Sequence, residues 1–310
     1  MLKIVVLGSG AGGGVPQWNC NCEVCAAARS GTGEVVPRTQ SSIAVSVDGE
    51  RWTIFNCSPD IRQQVSDRPE LWPADGHYRH TPIQSVVLTN ADVDHLSGLL
   101  ILREKQAFDV FATETVLEVI SENPIFNVLD PQFVSRHALA DHKVTEVGEG
   151  LFVEPFLVPG KVALFNEERM LAEEDSLKIG EETENTIGLK IFSGESGASF
   201  FYIPGCAMMT TPLAERLTGA SLVMFDGTVW FDSEMVSGKL GAKTGQRMGH
   251  MSMSGERGSM AAFAPLGVER KVFIHINNSN RVLMENSSER TEAAAAGWEI
   301  AYDGMAIDLQ

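Results

Sequence analysis

Three apolar runs in this chain each stop at a residue able to hold a metal ion, and that pattern limits the available folds more than any other feature. Residues 86–88 run into Thr89-Asn90-Ala91-Asp92-Val93-Asp94-His95, residues 222–225 into Asp226-Gly227, and residues 272–274 into His275. Buried strands that each deliver one such side chain at an end place it on a rigid element, as a built site requires. Runs rich in β-branched and aromatic residues read as strands at 4–7, 42–47, 52–56, 85–89, 109–112, 186–192, 199–203, 222–225, 272–276 and 298–302. Helical patterns fall at 96–105, 115–121, 210–217, 254–263 and 287–296. Early strands follow one another as hairpins and later ones alternate with helices, which predicts a mixed α/β architecture with more than one sheet. No repeat or Pro-, Gly- or Ser-rich linker divides the chain, so residues 1–310 read as one domain.

Charge narrows the function. With 24 Lys and Arg against 41 Asp and Glu, the formal charge is −17. A field of that sign repels polyanions, which argues against a general nucleic-acid binder and against anionic membrane surfaces. Apolar runs such as 85–88 and 222–225 fall far short of the ~20 residues that span a bilayer. Residues 1–8 are too short for a signal h-region and run into glycines without a cleavage site, so the expected compartment is the cytoplasm. Residues 166–185 hold eight acidic residues among few apolar ones and read as a solvated loop or lid.

Two motifs lie near the start. Gly8-Ser9-Gly10-Ala11-Gly12-Gly13 has the G-x-G-x-x-G spacing of a dinucleotide-binding turn. That reading needs a helix at the third glycine, whereas the chain continues through Pro16 and Trp18 with no helical period. The glycines then serve a turn in which backbone approaches a neighbouring loop. Cys20, Cys22 and Cys25 sit on one short loop, and the total of five cysteines is odd, which speaks against a disulfide framework. Thiols at this spacing suit a structural zinc that staples the loop, with a fourth ligand from elsewhere; the other reading is three small buried side chains. Cys57 and Cys206 are isolated and read as core residues. His77, His80, His137 and His142 lie in polar stretches and read as surface residues.

Alone, Asp94 could be a helix N-cap and His95 a first-turn residue. Taken with the strand ends at Asp226 and His275, the segment resembles the metallo-β-lactamase superfamily, whose pattern is H-x-H-x-D-H after one strand, then a later histidine, then Asp and His at two further strand ends. That resemblance implies an αββα sandwich of two mixed β-sheets flanked by helices. Trp18-Asn19-Cys20-Asn21-Cys22, Arg38-Thr39-Gln40-Ser41-Ser42, Asp226-Gly227-Thr228-Val229-Trp230, Met248-Gly249-His250 and His275-Ile276-Asn277-Asn278 resemble, more narrowly, the PQQ synthesis protein B family over nearly the full chain.

Against the superfamily pattern, Asn90 and Asp92 stand where the first two histidines belong, and Pro159-Gly160-Lys161 where a third is expected. One metal position has therefore lost its imidazoles, while Asp94, His95, Asp226 and His275 keep the other. Two histidines with carboxylates and open positions suit Fe(II) that activates dioxygen, with Zn or Mn as the other ions of that size. The resemblance makes His250 a proton donor or acceptor at the substrate, although a capping or solvent histidine fits the sequence equally. It makes Asp60 an acceptor that supports the metal loop without being a ligand. Asn278, or water, would complete the cysteine site.

The same resemblance implies a pathway that builds pyrroloquinoline quinone (PQQ) from a cross-linked Glu and Tyr, with iron- and oxygen-dependent hydroxylation of the tyrosine ring as the reaction. The implied partners are that precursor, dioxygen and other proteins of the pathway, and a homo-oligomer is compatible with the sequence. A substrate with several carboxylates needs local cations in so acidic a protein, so Arg38, Lys243 and Arg247 are candidate clamps, or else ordinary surface salt-bridge residues. Trp18 or Trp230 could stack on the ring, or belong to the core. A metal-dependent hydrolase with two ions, and a carrier taking PQQ or its precursor to the periplasm, are the rival functions.

Overall fold

The structure is a computed structural model that describes residues 1–161 and 180–310. Its strands are β1 (Leu2–Gly8), β2 (Ser42–Ser46), β3 (Trp52–Phe55), β4 (Ile83–Val87), β5 (Phe108–Thr113), β6 (Val134–Leu139), β7 (Thr145–Gly148), β8 (Leu151–Pro159), β9 (Glu182–Ser193), β10 (Ser199–Ile203), β11 (Leu222–Asp226), β12 (Arg270–Ile274), β13 (Trp298–Ile300) and β14 (Ala306–Leu309). They form two seven-stranded sheets, ordered β14-β1-β2-β3-β4-β5-β6 and β13-β12-β11-β10-β9-β8-β7. Each sheet is antiparallel on one side and parallel on the other, with the change at β3 in the first and at β10 in the second. Parallel neighbours end on the same edge, so the loops after β4, β11 and β12 are brought to one rim, the usual place for ligands in such sheets.

Alternation within the strands explains three packed interfaces. Ile4 and Val6 of β1 face inward with Val45, Phe55 and Val87, against Leu189, Ile191, Tyr202, Met224 and Ile274 of the second sheet. Val5 and Leu7 face outward, where Ile54, Val86 and Val110 meet helix residues Ile61, Leu96 and Ile120. Phe201, Val223, Phe225 and Phe273 cover the far side of the second sheet beneath Leu213, Leu217 and Phe263. Each fully buried side chain of this size contributes roughly 1.5–3 kcal/mol relative to exposure. Two sheets packed face to face with helices outside make the αββα sandwich that the resemblance implies.

Several expected elements differ. The pattern at 96–105 gives only the short helix Val93–Leu96 and a 3-10 turn at Ser97–Leu100, because Gly98 lies against the backbone of residue 58. The helix expected at 254–263 is confined to Ser259–Phe263. Strands β6, β7 and β14 carry mixed or exposed residues and lack the apolar run that marks a buried strand. Of the acidic stretch 166–185, residues 166–179 lie outside the described residues, and Glu182 to Asn185 belong to β9 and not to a loop. Glycines 8–13 form no dinucleotide site: Gly10 N–H donates to the Thr39 carbonyl at 2.9 Å, Ala11 N–H donates to the Ile276 carbonyl at 2.8 Å, and a Cβ on Gly8 would lie 2.1 Å from the Gln40 carbonyl oxygen.

Candidate metal centre

Asp94 and His95 lie on the short helix after β4, and backbone bonds hold that helix in place. Cys57 N–H donates to the His95 carbonyl at 2.6 Å, and Gly98 N–H donates to the Cys57 carbonyl at 2.9 Å. A Cβ on Gly98 would stand 2.1 Å from the Ser58 carbonyl oxygen, so the approach requires glycine. Asn56, left-handed at φ 60°, secures the strand end by accepting the Thr89 N–H at 2.9 Å.

Asn90 sets the tautomer of His95. Its Oδ1 lies 2.8 Å from His95 Nδ1 and accepts the Asp92 N–H at 2.9 Å. An amide oxygen only accepts, so the proton sits on Nδ1 and Nε2 presents a lone pair. That Nε2 is buried without a hydrogen-bond partner. Leaving such a group unpaired costs about 1–3 kcal/mol, which a cation would recover. Nε2 faces Asp94 Oδ2 at 3.6 Å, and His275 Nε2 lies 3.2 Å from the same oxygen. The three residues offer ligand atoms within 4.8 Å of one another, so the donor set fits a metal ion.

Electrostatics agree with that fit. Burial pushes His95 down to about 4, so its ring is neutral near pH 7. Burial works against ionisation of Asp94, but His95 and His275 outweigh it and hold the carboxyl below its usual range. For His275 the balance is reversed: burial would lower it, while the hydrogen bond and charge of Asp94 carry it above the ordinary imidazole value.

Asp226 closes β11 and is fully buried. Oδ1 accepts the Thr228 N–H at 3.0 Å and hydroxyl at 2.6 Å; Oδ2 accepts the Cys206 N–H at 2.9 Å and faces His250 Nδ1 at 2.7 Å. Having donated to Asp226, Thr228 Oγ1 accepts His275 Nδ1–H at 2.8 Å, which turns Nε2 toward Asp94. The His250 ring stacks on His275 with centroids 5.1 Å apart. Burial opposes the Asp226 charge, but His250 more than offsets it and keeps the carboxyl below its usual range. A cavity of about 550 Å³ opens over this rim, lined by Gly12, Asp94, Lys161, Lys243, His250 and His275 among others.

The three cysteines form a second cluster, with Sγ atoms within 4.8 Å of one another. They stand at the start of the helix Glu23–Ser30, where Cys22 is the N-cap residue. Asn278 closes the group: Nδ2 lies 3.2 Å from Cys25 Sγ, and its carbonyl oxygen lies 3.4 Å from Cys22 Sγ. Burial pushes the Cys22 thiol up to about 12. Burial works the same way on Cys20, but bonds from Cys22, Cys25 and Asn278 carry it below its ordinary value. Segment 275–278 therefore runs from one cluster to the other.

Comparison with known proteins now adds to the geometry. The Beta-lactamase superfamily domain matches residues 51–276. Coenzyme PQQ synthesis protein B of Methylorubrum extorquens (strain PA1) is 50% identical over 308 residues, covering 99% of this chain and 100% of the relative. Coenzyme PQQ synthesis protein B of Rhizobium meliloti (strain 1021) is 51% identical over 99% of this chain and 98% of its own length. The chain belongs to the coenzyme PQQ synthesis protein B family. The crystal structure of Zn(2+)-bound PqqB from Methylobacterium extorquens superposes with a TM-score of 0.94 at 50% identity, covering 99% of this chain and 100% of that one. A diphosphatase of the PhnP family shares the fold, with a TM-score of 0.68 at 20% identity over 100% of this chain and 98% of that one.

Within this family member, the structure rearranges several expected roles. Asp226 does not fall in one four-residue group with Asp94 and His95; with His250 and His275 it forms a neighbouring group whose ligand atoms also lie within 4.8 Å of one another, so His275 is common to both. Asp60 Oδ2 accepts the Gln40 backbone and side-chain N–H groups, each at 2.9 Å, and Gln40 Oε1 accepts the Gly13 N–H at 2.8 Å. Asp60 thus braces the glycine turn that lies over Asp94, not the metal loop directly. Arg38 is no clamp: it is buried, its guanidinium donates to the Ala301 carbonyl at 3.1 Å, and its backbone pairs with Val15. Arg247 is exposed and does not line the cavity, whereas Lys243 does. Trp230 is 8% exposed and packs in the core of the second sheet, while Trp18 is 86% exposed and off the cavity wall.

Among the described residues no helix is long and apolar enough to cross a membrane. His77, His137 and His142 are exposed and His80 half-buried, all away from the cavity. Sequence reasoning passed over Asn56, Thr228 and Lys161. Thr228 had a signal, a hydroxyl two residues past a strand-ending aspartate. Lys161 had another, a cation at the place of a lost imidazole; its Nζ lies 3.4 Å from Asp92 Oδ1.

Proposed function

We propose that this chain acts in pyrroloquinoline quinone biosynthesis, where it hydroxylates the tyrosine ring of a cross-linked Glu–Tyr precursor with dioxygen. The observation that carries this reading is the buried, partnerless Nε2 of His95 facing Asp94 and His275. Two imidazoles and one carboxylate with other positions open are the donor set of non-haem iron oxygenases. When bound, Fe(II) supplies the activation of dioxygen. Asn90 and Thr228 keep both Nε2 atoms turned toward Asp94, where they would hold the ion, as orienting partners of metal ligands do. At the position that has lost its imidazoles, the Asn90 oxygen is engaged by His95 and Asp92 by Lys161.

Asp226 holds His250 at Nδ1, so His250 exchanges protons with the substrate phenol through Nε2. The cavity falls in the usual range for small-molecule sites. Cys20, Cys22, Cys25 and Asn278 would hold a structural zinc that pins the loop carrying His275. One oxygen atom enters the ring and the other leaves as water, so each hydroxylation draws two electrons from an added reductant.

Load the metal-free protein with ferrous ion without air, then add the cross-linked Glu–Tyr species, ascorbate and oxygen. Oxygen consumption matched by a mass gain of one oxygen atom in the ring is the expected result. Zinc-dependent cleavage without oxygen uptake would overturn it in favour of a hydrolase. Binding of the finished quinone with no turnover under any metal would mark a carrier.

A further inference from the structure

The cavity is acidic where the proposed substrate is also acidic. Asp92 and Asp94 line it, in a chain of net charge −17. A ligand bearing carboxylates needs a cation on the wall to offset that field, and neither Arg38 nor Arg247 lies there. Lys161 does, and its side chain is 16% exposed, so solvent screens its charge less than that of a surface lysine.

Lys161 is held at both ends. Its carbonyl accepts the Thr186 hydroxyl at 3.2 Å. Its stem crosses Gly249, left-handed at φ +86°, where an added Cβ would stand 2.9 Å from Lys161 Cγ. Gly249 adjoins His250, so the turn that bears the proton-exchanging imidazole also supports the lysine. The ammonium meets Asp92 Oδ1 at 3.4 Å, longer than a good charge-assisted bond. An ammonium has three donors, and Asp92 engages no more than one at this distance. Lys243 lines the same cavity and adds a second positive charge.

We propose that Lys161 anchors a carboxylate-binding subsite beside the Asp94, His95 and His275 cluster, and that it seats a carboxylate of the substrate. The subsite deepens the function proposed above and rests on it for which molecule bears that carboxylate. Asp92 both positions the ammonium and competes for it, so the two residues affect anion binding in opposite directions.

Zinc-loaded protein, which allows binding without turnover, is titrated calorimetrically with the cross-linked Glu–Tyr diamino acid and, separately, with glutarate. Lys161→Met weakens both by about tenfold or more, the loss of a charged hydrogen bond, at unchanged metal content. Lys161→Arg recovers most of the affinity, and Asp92→Asn binds both anions more tightly than the parent. Equal binding by Lys161→Met and the parent would overturn the subsite. So would Asp92→Asn weakening binding as Lys161→Met does, since the pair would then be a structural brace. Glutarate held through Lys161 while the cross-linked species fails to bind upholds the subsite and removes the substrate reading; failure of both probes on the parent removes the subsite.

Discussion

Two candidate metal clusters stand at opposite ends of segment 275–278 and are built by opposite means. The cysteine cluster draws its donors from six consecutive residues, 20–25, and needs the fold only for Asn278. The Asp94, His95 and His275 cluster draws its donors from two strand ends in different sheets, and each imidazole has a dedicated partner for its other nitrogen. A local loop with soft donors can be ordered by the ion it binds. A site spread over two sheets must be ordered before the ion arrives, and the fold supplies that order through Asn56, Asn90, Thr228 and Asp226.

The comparison breaks most visibly at a ligand. His95→Ala should lower metal affinity at the buried cluster by more than the roughly 10- to 100-fold typical of orienting partners, and abolish oxygen uptake. Elemental analysis should still find the metal of the cysteine site. A variant that keeps full metal content and turnover would show that His95 is no ligand.

Next comes an orienting group. Thr228→Val removes the acceptor of His275 Nδ1–H and one donor to Asp226, at nearly unchanged volume. Affinity at the buried cluster should fall by about 10- to 100-fold while the cysteine site is unaffected. Chelator competition measures both.

Acidity separates the clusters further. Ligands must be deprotonated, so each proton displaced makes affinity rise about tenfold per pH unit below the group's pKa. His95, at about 4, has no proton to lose above pH 6, and His275, raised by Asp94, contributes at most one. Cys22, pushed up to about 12, must always give one up, with the other thiols adding to it. Affinity at the cysteine site, read on His95→Ala, should therefore climb more steeply from pH 6 to 8 than affinity at the buried cluster, read on Cys25→Ser. Parallel slopes would contradict the assigned protonation states.

The smallest effect is expected from Cys25→Ser itself. It should cost one metal equivalent and lower the melting temperature by about 3 °C, which corresponds to about 2 kcal/mol for a chain of this size. Turnover should fall only a few-fold, through loosening of Asn278 three residues beyond His275. Loss of all activity at intact buried-site occupancy would make the cysteine cluster more than a staple.

What was legible in the sequence follows the same division. Spacing alone marked Cys20, Cys22 and Cys25, and apolar runs ending in Asp226 and His275 marked the rim of the sandwich. Strands buried on both faces, such as Leu222–Asp226, announce themselves by continuous apolar runs, while the edge strand Val134–Leu139 interleaves exposed residues and does not. Arg38, expected as a clamp or a surface residue, is buried for a reason the sequence hides: burial depends on what the fold lays over a residue, and a chain's order does not record it. Asn90 is the clearest case. By position it marks a ligand lost, yet in space its oxygen fixes the ring of a neighbour that was kept.

The pairing of β14 with β1 joins the last strand of the chain to its first. Just before β14, Asp303 accepts the N–H groups of both Ser9 and Thr39, and these flank the glycine turn over Asp94. On the ribosome, then, β1 keeps one uncovered edge until β14 has been made. The roof of the site is fastened by a segment that follows every candidate ligand along the chain, so a chain cut before Asp303 would carry all those ligands and still lack the clasp that holds them under cover.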